Sequence, residues 1–323
     1  MILAGDIGGT KTLVALYDDS HGTRSPVRQE SYRSGDFPSL EEVLFRFLQP
    51  GTSTPIRAAC FAVAGPVIDG RCKTTNLPWE LDERPLGAAL KTRVKLVNDL
   101  EGAAHGLSAI GPDELEILQP GVKREGNIAL IAAGTGLGEA ILVRSGESYQ
   151  VIASEGGHAD FAPRNDQETA LLTYLRKEYG HVSYERILSG PGLHHVYRFL
   201  LESGYASEPE WLKARLATGD PSAVISEIGL SNGHPLCTAT LDLFVSIYGA
   251  EAGNLALKAL ALGGVFVGGG IAPKILAKLR DGSFIDAFND KGRLAGLLRS
   301  LQVAVVMNPR MALIGAATVA SKL

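Results

Sequence analysis

Cysteine is scarce in this chain, and what there is does not pair by motif. Cys60, Cys72 and Cys237 show no C-x-x-C spacing, so they offer neither a disulfide framework nor a cysteine zinc site. Cys60 lies inside the apolar run 58–64 and reads as a buried thiol. No apolar run approaches the ~20 residues that span a bilayer, and the N-terminus lacks the basic region and apolar core of a signal peptide. The expected compartment is therefore the cytoplasm, with no membrane partner. Positive charge is not in surplus either. There are 31 Lys and Arg against 35 Asp and Glu, a net charge of −4, which excludes a global basic field for nucleic acid. The two commonest phosphate motifs are also missing. Lys11-Thr12 follows Thr10 rather than glycine and leads into a strand, so it is not a Walker A loop. Gly134-Thr135-Gly136-Leu137-Gly138 has the wrong spacing for a dinucleotide fingerprint and opens no helix.

What the chain does contain is one kind of turn used twice. An apolar strand runs into glycines and threonine and leaves as another apolar strand, first over Ile2 to Tyr17 and again over Ile128 to Val143. Each turn, at Gly8-Gly9-Thr10-Lys11 and at Gly134 to Gly138, presents backbone N–H groups and hydroxyls without side-chain bulk, as a phosphate chain requires. A single turn of this kind reads first as a plain hairpin. Two of them point to one phosphate chain held from two sides, and so to a nucleotide-using enzyme. Asp6 adds to this, because a carboxylate within an apolar run is costly to bury without a partner such as a metal.

At 323 residues the length fits about two domains, and 45% hydrophobic with 20% charged residues is ordinary for a globular protein. Strand patterns at 2–7, 12–17, 57–64, 95–97, 128–143, 263–267 and 302–307 alternate with helical patterns. The helices are expected at 40–48, 83–91, 100–110, 166–179, 184–188, 192–203, 208–217, 221–230, 236–262, 273–280, 283–287 and 311–322. The alternation predicts an α/β fold. Residues 112–126 read as a polar, proline-bounded connection, and the domain crossover is expected near them.

Several short stretches carry candidate chemistry. Asn98-Asp99 ends a strand and starts a helix; on its own it reads first as an N-cap, and second as an ionised carboxylate placed to accept a proton from an alcohol. Glu155, His158 and Asp160 surround Gly156-Gly157, a turn suited to metal or to several hydroxyls. No cysteine or second histidine lies nearby to favour a metal. Gly65-Pro66 ends a strand. Asn76-Leu77-Pro78-Trp79 reads as a turn with an aromatic plug. Glu185 precedes the helix connection Ser189 to Leu193, and Gly268-Gly269-Gly270-Ile271 separates a strand from a helix, where backbone can pack on a ring or a phosphate.

Taken in order, these stretches resemble the bacterial glucokinases of the sugar kinase, heat-shock ATPase and actin superfamily. The matching stretches are 5–12, 64–66, 75–79, 97–101, 134–138, 154–163, 184–192 and 267–271, nearly the full chain in the family's order. Related repressors and kinases carry a cysteine-rich zinc motif after the Glu-Gly-His turn; this chain has no cysteine between Cys72 and Cys237, so it resembles the zinc-free branch.

The resemblance implies two domains of ribonuclease H-like, actin-like ATPase fold, each on a five-stranded mixed sheet, with an interdomain cleft that closes on sugar. The small domain would be 1–110 plus 309–323 and the large one 111–308. It implies ATP-dependent phosphorylation of D-glucose at the 6-hydroxyl, the first step of glycolysis, with Asp99 as general base. Gly65, Asn76, Asn98, Glu155, His158 and Glu185 would hold the sugar. Asp6 would orient Mg²⁺. Gly8, Gly9, Thr10 and Lys11 with Gly134, Thr135, Gly136 and Gly138 would cradle the phosphates, and Gly268, Gly269, Gly270 and Ile271 the adenosine. Zinc is not expected, and a homodimer is. A kinase for another hexose or amino sugar is the near alternative. A sugar-binding regulator or actin-like ATPase is the distant one, disfavoured because only five residues precede Asp6.

Overall fold

The computed structural model describes residues 1–18, 20–48, 55–74 and 77–323. The chain divides into two compact units: 1–114 with 151–153 and 308–323, and 115–150 with 154–307.

Unit 1 is built on a five-stranded sheet. Its strands are β1 (Ile2–Ile7), β2 (Lys11–Tyr17), β3 (Arg28–Arg33), β4 (Ala58–Val63) and, after the small ribbon of β5 (Arg71–Lys73) and β6 (Glu80–Asp82), β7 (Arg93–Asn98). The order is β3-β2-β1-β4-β7, with β1, β4 and β7 mutually parallel and β2 and β3 antiparallel. Side-chain alternation sorts each central strand between two faces. Leu3, Ile7, Ala59, Phe61 and Val63 join the apolar face of α1 (Leu40–Leu48) and the buried Trp79. Ile2, Ala4, Ala58, Cys60 and Ala62 form the other face, which is made mostly of small residues. Beside the sheet run α2 (Glu83–Leu90) and α3 (Asp99–Gly106).

Unit 2 carries a six-stranded sheet in the order β11-β10-β9-β12-β13-β8. Its strands are β8 (Leu115–Gln119), β9 (Ile128–Ala133), β10 (Leu137–Ser145), β11 (Ser148–Ser154), β12 (Gly264–Gly268) and β13 (Val303–Val306). Five strands were expected. The sixth is β8, which lies within the stretch read as a polar connection and pairs antiparallel with the buried β13. Its one buried residue is polar, Gln119, while Ile117 is exposed, so it has no buried apolar face to announce it. Nor has β3, an edge strand of sequence Arg-Gln-Glu-Ser-Tyr-Arg. Helices α4 (Asp166–Tyr179), α5 (Gly190–Glu202), α6 (Glu210–Thr218), α7 (Pro221–Leu230) and α8 (Pro235–Ala259) come next, then the short α9 (Leu276–Leu279), α10 (Ser283–Asn289) and α11 (Ala295–Arg299). The expected helix at 184–188 is a single 3₁₀ turn, Tyr184–Arg186.

Helix α8 is buried around most of its circumference inside unit 2, from Leu236 to Ala259. Its all-round apolarity is therefore spent on its own core and gives no support to a dimer. Among the described residues, no helix is long and apolar enough to cross a membrane.

The last helix, α12 (Met311–Ser321), belongs to unit 1 and lays Leu313, Ala316, Ala317 and Ala320 on the small-residue face of the sheet. It also meets α3 backbone to backbone. A Cβ on Gly315 would lie 1.7 Å from the Gly102 carbonyl oxygen, and one on Gly106 would lie 2.2 Å from the Met311 oxygen. This contact holds the helix that begins at Asp99. Gly315→Ala forces the two helices apart and is expected to cost about 1–3 kcal/mol, as overpacking does. Chemical denaturation measures it, and an unchanged midpoint would show that the helices have slack.

Candidate active site

In unit 1, strand register brings distant residues level. Ile7 pairs with Val63, and Val63 pairs with Asn98, so the three parallel strands end in one row. The turn 8–11 after β1, Ala64-Gly65 after β4 and Asp99 after β7 therefore all leave the same end of the sheet. Ligands of open α/β sheets bind at such carboxyl ends.

Each residue there is held by identifiable bonds. The Gly8 N–H donates to the Lys11 oxygen over 3.0 Å and closes the turn. Ser34, buried at the end of β3, ties this turn from behind. Its hydroxyl donates to the Gly8 oxygen at 2.7 Å and lies 2.9 Å from the Thr12 hydroxyl, and its N–H donates to the Thr10 oxygen. Sequence reading missed Ser34, which sits in a polar stretch with no periodicity to mark it. Gly65 has φ +147°, and a Cβ there would crowd Cys72 Sγ at 3.1 Å and the Lys73 oxygen at 3.2 Å. Asn98 caps α3: its Oδ1 accepts from the Leu100 N–H at 2.9 Å while its Nδ2 donates to the Gly65 oxygen at 3.0 Å. Asp99 is the first residue of α3, and its Oδ1 also accepts from Leu100 N–H, at 2.8 Å. Burial, and then the nearby charge of Asp99, push the Asp6 carboxyl up to about 7, with Lys11 opposing. Asn76 lies outside the described residues; Trp79 beyond it is core, its Nε1 donating to the Phe37 oxygen.

Unit 2 gathers its own set. The hairpin β9–β10 turns through Gly134 to Gly136, where the Gly134 N–H donates to the Gly136 oxygen at 2.8 Å. Parallel β12 ends beside β9, with Gly268 opposite Ala132. The glycines after it turn back over Ala133: the Ile271 N–H donates to the Ala133 oxygen, and a Cβ on Gly269 (φ +82°) would lie 2.3 Å from that same oxygen. The Gly190 N–H, at the start of α5, donates to the Gly134 oxygen at 2.8 Å, and Ser189 caps this helix. The Glu185 carboxylate accepts from Leu137 N–H at 3.0 Å, just past the turn, and an added Cβ on Gly136 would strike it at 2.5 Å.

His158 completes this group. Its Nε2 is 3.5 Å from Glu185 Oε1, and its Nδ1 is 3.8 Å from Glu155 Oε2. Glu155, His158 and Glu185 thus stand together with the turn 134–138, while Asp160 pairs with His181 away from them. Two carboxylates and an imidazole on rigid backbone can accept from and donate to neighbouring hydroxyls of a polyol.

Among the described residues, no group of three or more His, Cys, Asp or Glu is arranged to hold a metal ion. Magnesium needs less than that, since it takes one or two carboxylates and completes its shell with phosphate oxygens and water. Asp6, whose ionisation is suppressed by burial and then by the charge of Asp99, is a carboxyl that such a cation would favour in its ionised form.

A sheet with level parallel strand ends and a glycine-threonine turn in each unit, in a chain that the glucokinase family model matches, marks a sugar kinase. The glucokinase family model matches residues 3–323. A glucokinase from Nostoc punctiforme is 42% identical, covering 100% of this chain and 99% of its own length. The crystal structure of a glucokinase from an Antarctic psychrotroph superposes with a TM-score of 0.84 at 32% identity, covering 100% and 99% of the two chains. A Balamuthia mandrillaris glucokinase crystallised with glucose shares the fold, with a TM-score of 0.82 at 22% identity over 99% of this chain and 93% of its own. The chain belongs to the glucokinase family.

Ser34→Ala leaves the Gly8 carbonyl and the Thr12 hydroxyl without their shared partner. A loss of about 1–3 kcal/mol of stability is expected, and turn 8–11 loosens; with that turn on the phosphates, as its sequence leads one to expect, ATP binding weakens too. Unfolding curves and a nucleotide titration read both effects, and an ATP affinity that stays at the wild-type value would separate Ser34 from the turn's function.

Proposed function

We propose that this chain phosphorylates D-glucose at its 6-hydroxyl with ATP, and that Asp99 is the general base. The observation that carries the assignment of the base is the position of Asp99. It is a carboxylate at the first turn of a helix, level with a phosphate-binding type of turn, in a chain of the glucokinase family.

Asp99 accepts the proton of the 6-hydroxyl as its oxygen attacks the γ-phosphorus. A helix N-terminus favours the ionised carboxylate this requires. Asn98, already fixed by its two bonds, offers its amide edge to a neighbouring hydroxyl, with Gly65 and Asn76 beside the sugar. Glu155, His158 and Glu185 bind the remaining hydroxyls, so that an analogue lacking one leaves a polar group unpaired. The turns at Gly8–Lys11 and Gly134–Gly138 cradle the phosphates, and Gly268 to Ile271 pack against the nucleoside. Asp6 would orient Mg²⁺, which would supply neutralisation of charge on the transferring phosphate. No zinc takes part in this reading, and the compartment is the cytoplasm.

Asp99→Asn tests the base. Asparagine keeps the shape and the hydrogen bond but takes no proton, so kcat is expected to fall about 10²–10⁴-fold while glucose still binds. A kcat near the wild-type value in a coupled assay would leave Asp99 as a helix residue only. The same assay run across hexoses fixes the substrate range.

A homodimer is also proposed, on family grounds alone. Sedimentation at micromolar concentration is expected to give twice the 34.1 kDa chain mass. A single monomeric species, unchanged by glucose or ATP, would refute it.

A further inference from the structure

Beneath the turn that carries Glu155 and His158 lies a buried acidic pair that the reaction does not use. Glu139 is on β10, where its neighbours along the strand are apolar, and Glu251 is on α8; both are essentially without solvent exposure. Glu251 is well supplied with donors. Asn254 Nδ2 donates to its Oε2 at 2.8 Å, and Lys258 Nζ donates to its Oε1 at 3.3 Å. Glu139 is not so supplied, and its Oε1 is buried with no donor within reach. A buried carboxylate oxygen without a donor is costly, and the group facing Glu139 is another carboxylate. The partner that relieves both problems is a proton. Burial, and then the charge of Glu251, push the Glu139 carboxyl up to about 8, with Lys258 opposing.

The pair touches both halves of the Glu155–His158–Glu185 group. A Cβ on Gly156 would lie 2.2 Å from Glu139 Oε2, and one on Gly157 would lie 2.0 Å from the Leu137 oxygen, so the turn rests directly on Glu139 and its strand. On the other side, Asn254 Nδ2 also reaches the Tyr184 hydroxyl at 3.2 Å, and Tyr184 immediately precedes Glu185. Lys291 locks Asn254 from behind, donating to its Oδ1 at 2.7 Å and to the Ala250 oxygen at 2.9 Å. The titratable groups around Glu139 are therefore Glu251, Lys258 and Tyr248 from α8, Tyr184, Lys291, and the exposed Glu155 and His158 of the turn. Its partner on β9, Ile131, carries no charge.

We infer that Glu139 holds one proton shared with Glu251, and that this neutral-plus-charged pair is the support on which the sugar-binding turn and Glu185 are positioned. The inference rests on the sugar-binding reading of Glu155, His158 and Glu185. Glu139 is a positioning residue, since it acts through Gly156 and the Asn254–Tyr184 link rather than on the sugar. Loss of the shared proton sets two carboxylates against each other under Gly156, and the turn shifts.

The pH effect has a definite sign. The Glu139 carboxyl is raised in the folded chain above its ordinary 4.5, so the stability it contributes is full below that value and is lost as pH rises through about 8. In the ligand-free protein, Tm is expected to fall between about pH 4.5 and pH 8, and Glu139→Gln, whose amide donates permanently to Glu251, is expected to flatten that fall. The KM for glucose in the wild type should rise at least about fivefold as the folded carboxyl titrates, between about pH 7 and pH 9, with kcat little changed. Glu139→Gln should keep the low KM throughout, and Glu139→Ala should show the high KM at every pH. An alkaline rise of KM that is the same in Glu139→Gln, or no rise in the wild type, would overturn the inference.

Infrared spectroscopy of the Asp6→Asn chain, which lacks the other carboxyl raised to about 7, gives an independent reading without any change at Glu139. A protonated carboxyl band that persists at pH 7 and disappears near pH 8 is expected, and its absence at pH 7 would refute the shared proton. The Tm and infrared measurements need no sugar. If they behave as expected while glucose is not phosphorylated at pH 7, the failure lies with the functional reading and not with the pair.

Discussion

Parallel pairing in register, ended by residues without bulk, is the constraint on which both units depend. In unit 1 the pairing of Ile7 with Val63 and of Val63 with Asn98 sets three strand ends level. In unit 2 the pairing of Gly268 with Ala132 does the same for β12 and β9. Side chains that are far apart in sequence reach one place because hydrogen-bonded strands cannot slip by one residue without turning every side chain to the wrong face. The glycines are a consequence of that geometry. Where two chain segments cross at the strand ends, as Gly269 does over Ala133, a Cβ would occupy the space of a backbone atom.

The same close approach recurs away from the site. The α3–α12 contact through Gly102 and Gly315 anchors the helix that starts at Asp99, although no residue in that contact is polar. The alanine-rich face of β1 and β4 lets α12 lie close enough to make it. A packing rule in the core thereby fixes a carboxylate at the surface of the sheet, which is the kind of support that positioned catalytic groups need.

Much of this was legible in the sequence, and for physical reasons. Buried strands such as β4 are continuous apolar runs, and helices such as α4 and α7 open on the capping residues Asn165 and Asp220, so their bounds are read closely. The glycine-threonine turns announce themselves because few other backbones tolerate them. Edge elements were not legible: β3 and β8 owe their shape to a neighbour's unpaired backbone groups rather than to their own side chains. Residues that act from behind the site were also hidden. Ser34 has no pattern around it. Glu139 and Glu251 did leave a trace, as charges inside the apolar stretches 137–143 and 236–262, but their meaning depends on a contact between β10 and α8 that sequence order does not display. Asn76 and the 49–54 segment lie outside the described residues, so the reading of Asn76 rests on motif alone.

The central claim is transfer of the γ-phosphoryl group of ATP to the 6-oxygen of glucose. The direct measurement is phosphorus NMR of the product formed from ATP and glucose, with 6-deoxyglucose as the control. The account predicts a single phosphate ester on the 6-oxygen, and 6-deoxyglucose that competes with glucose but yields no ester. Phosphate on another oxygen, or ADP release that does not depend on glucose, would contradict it.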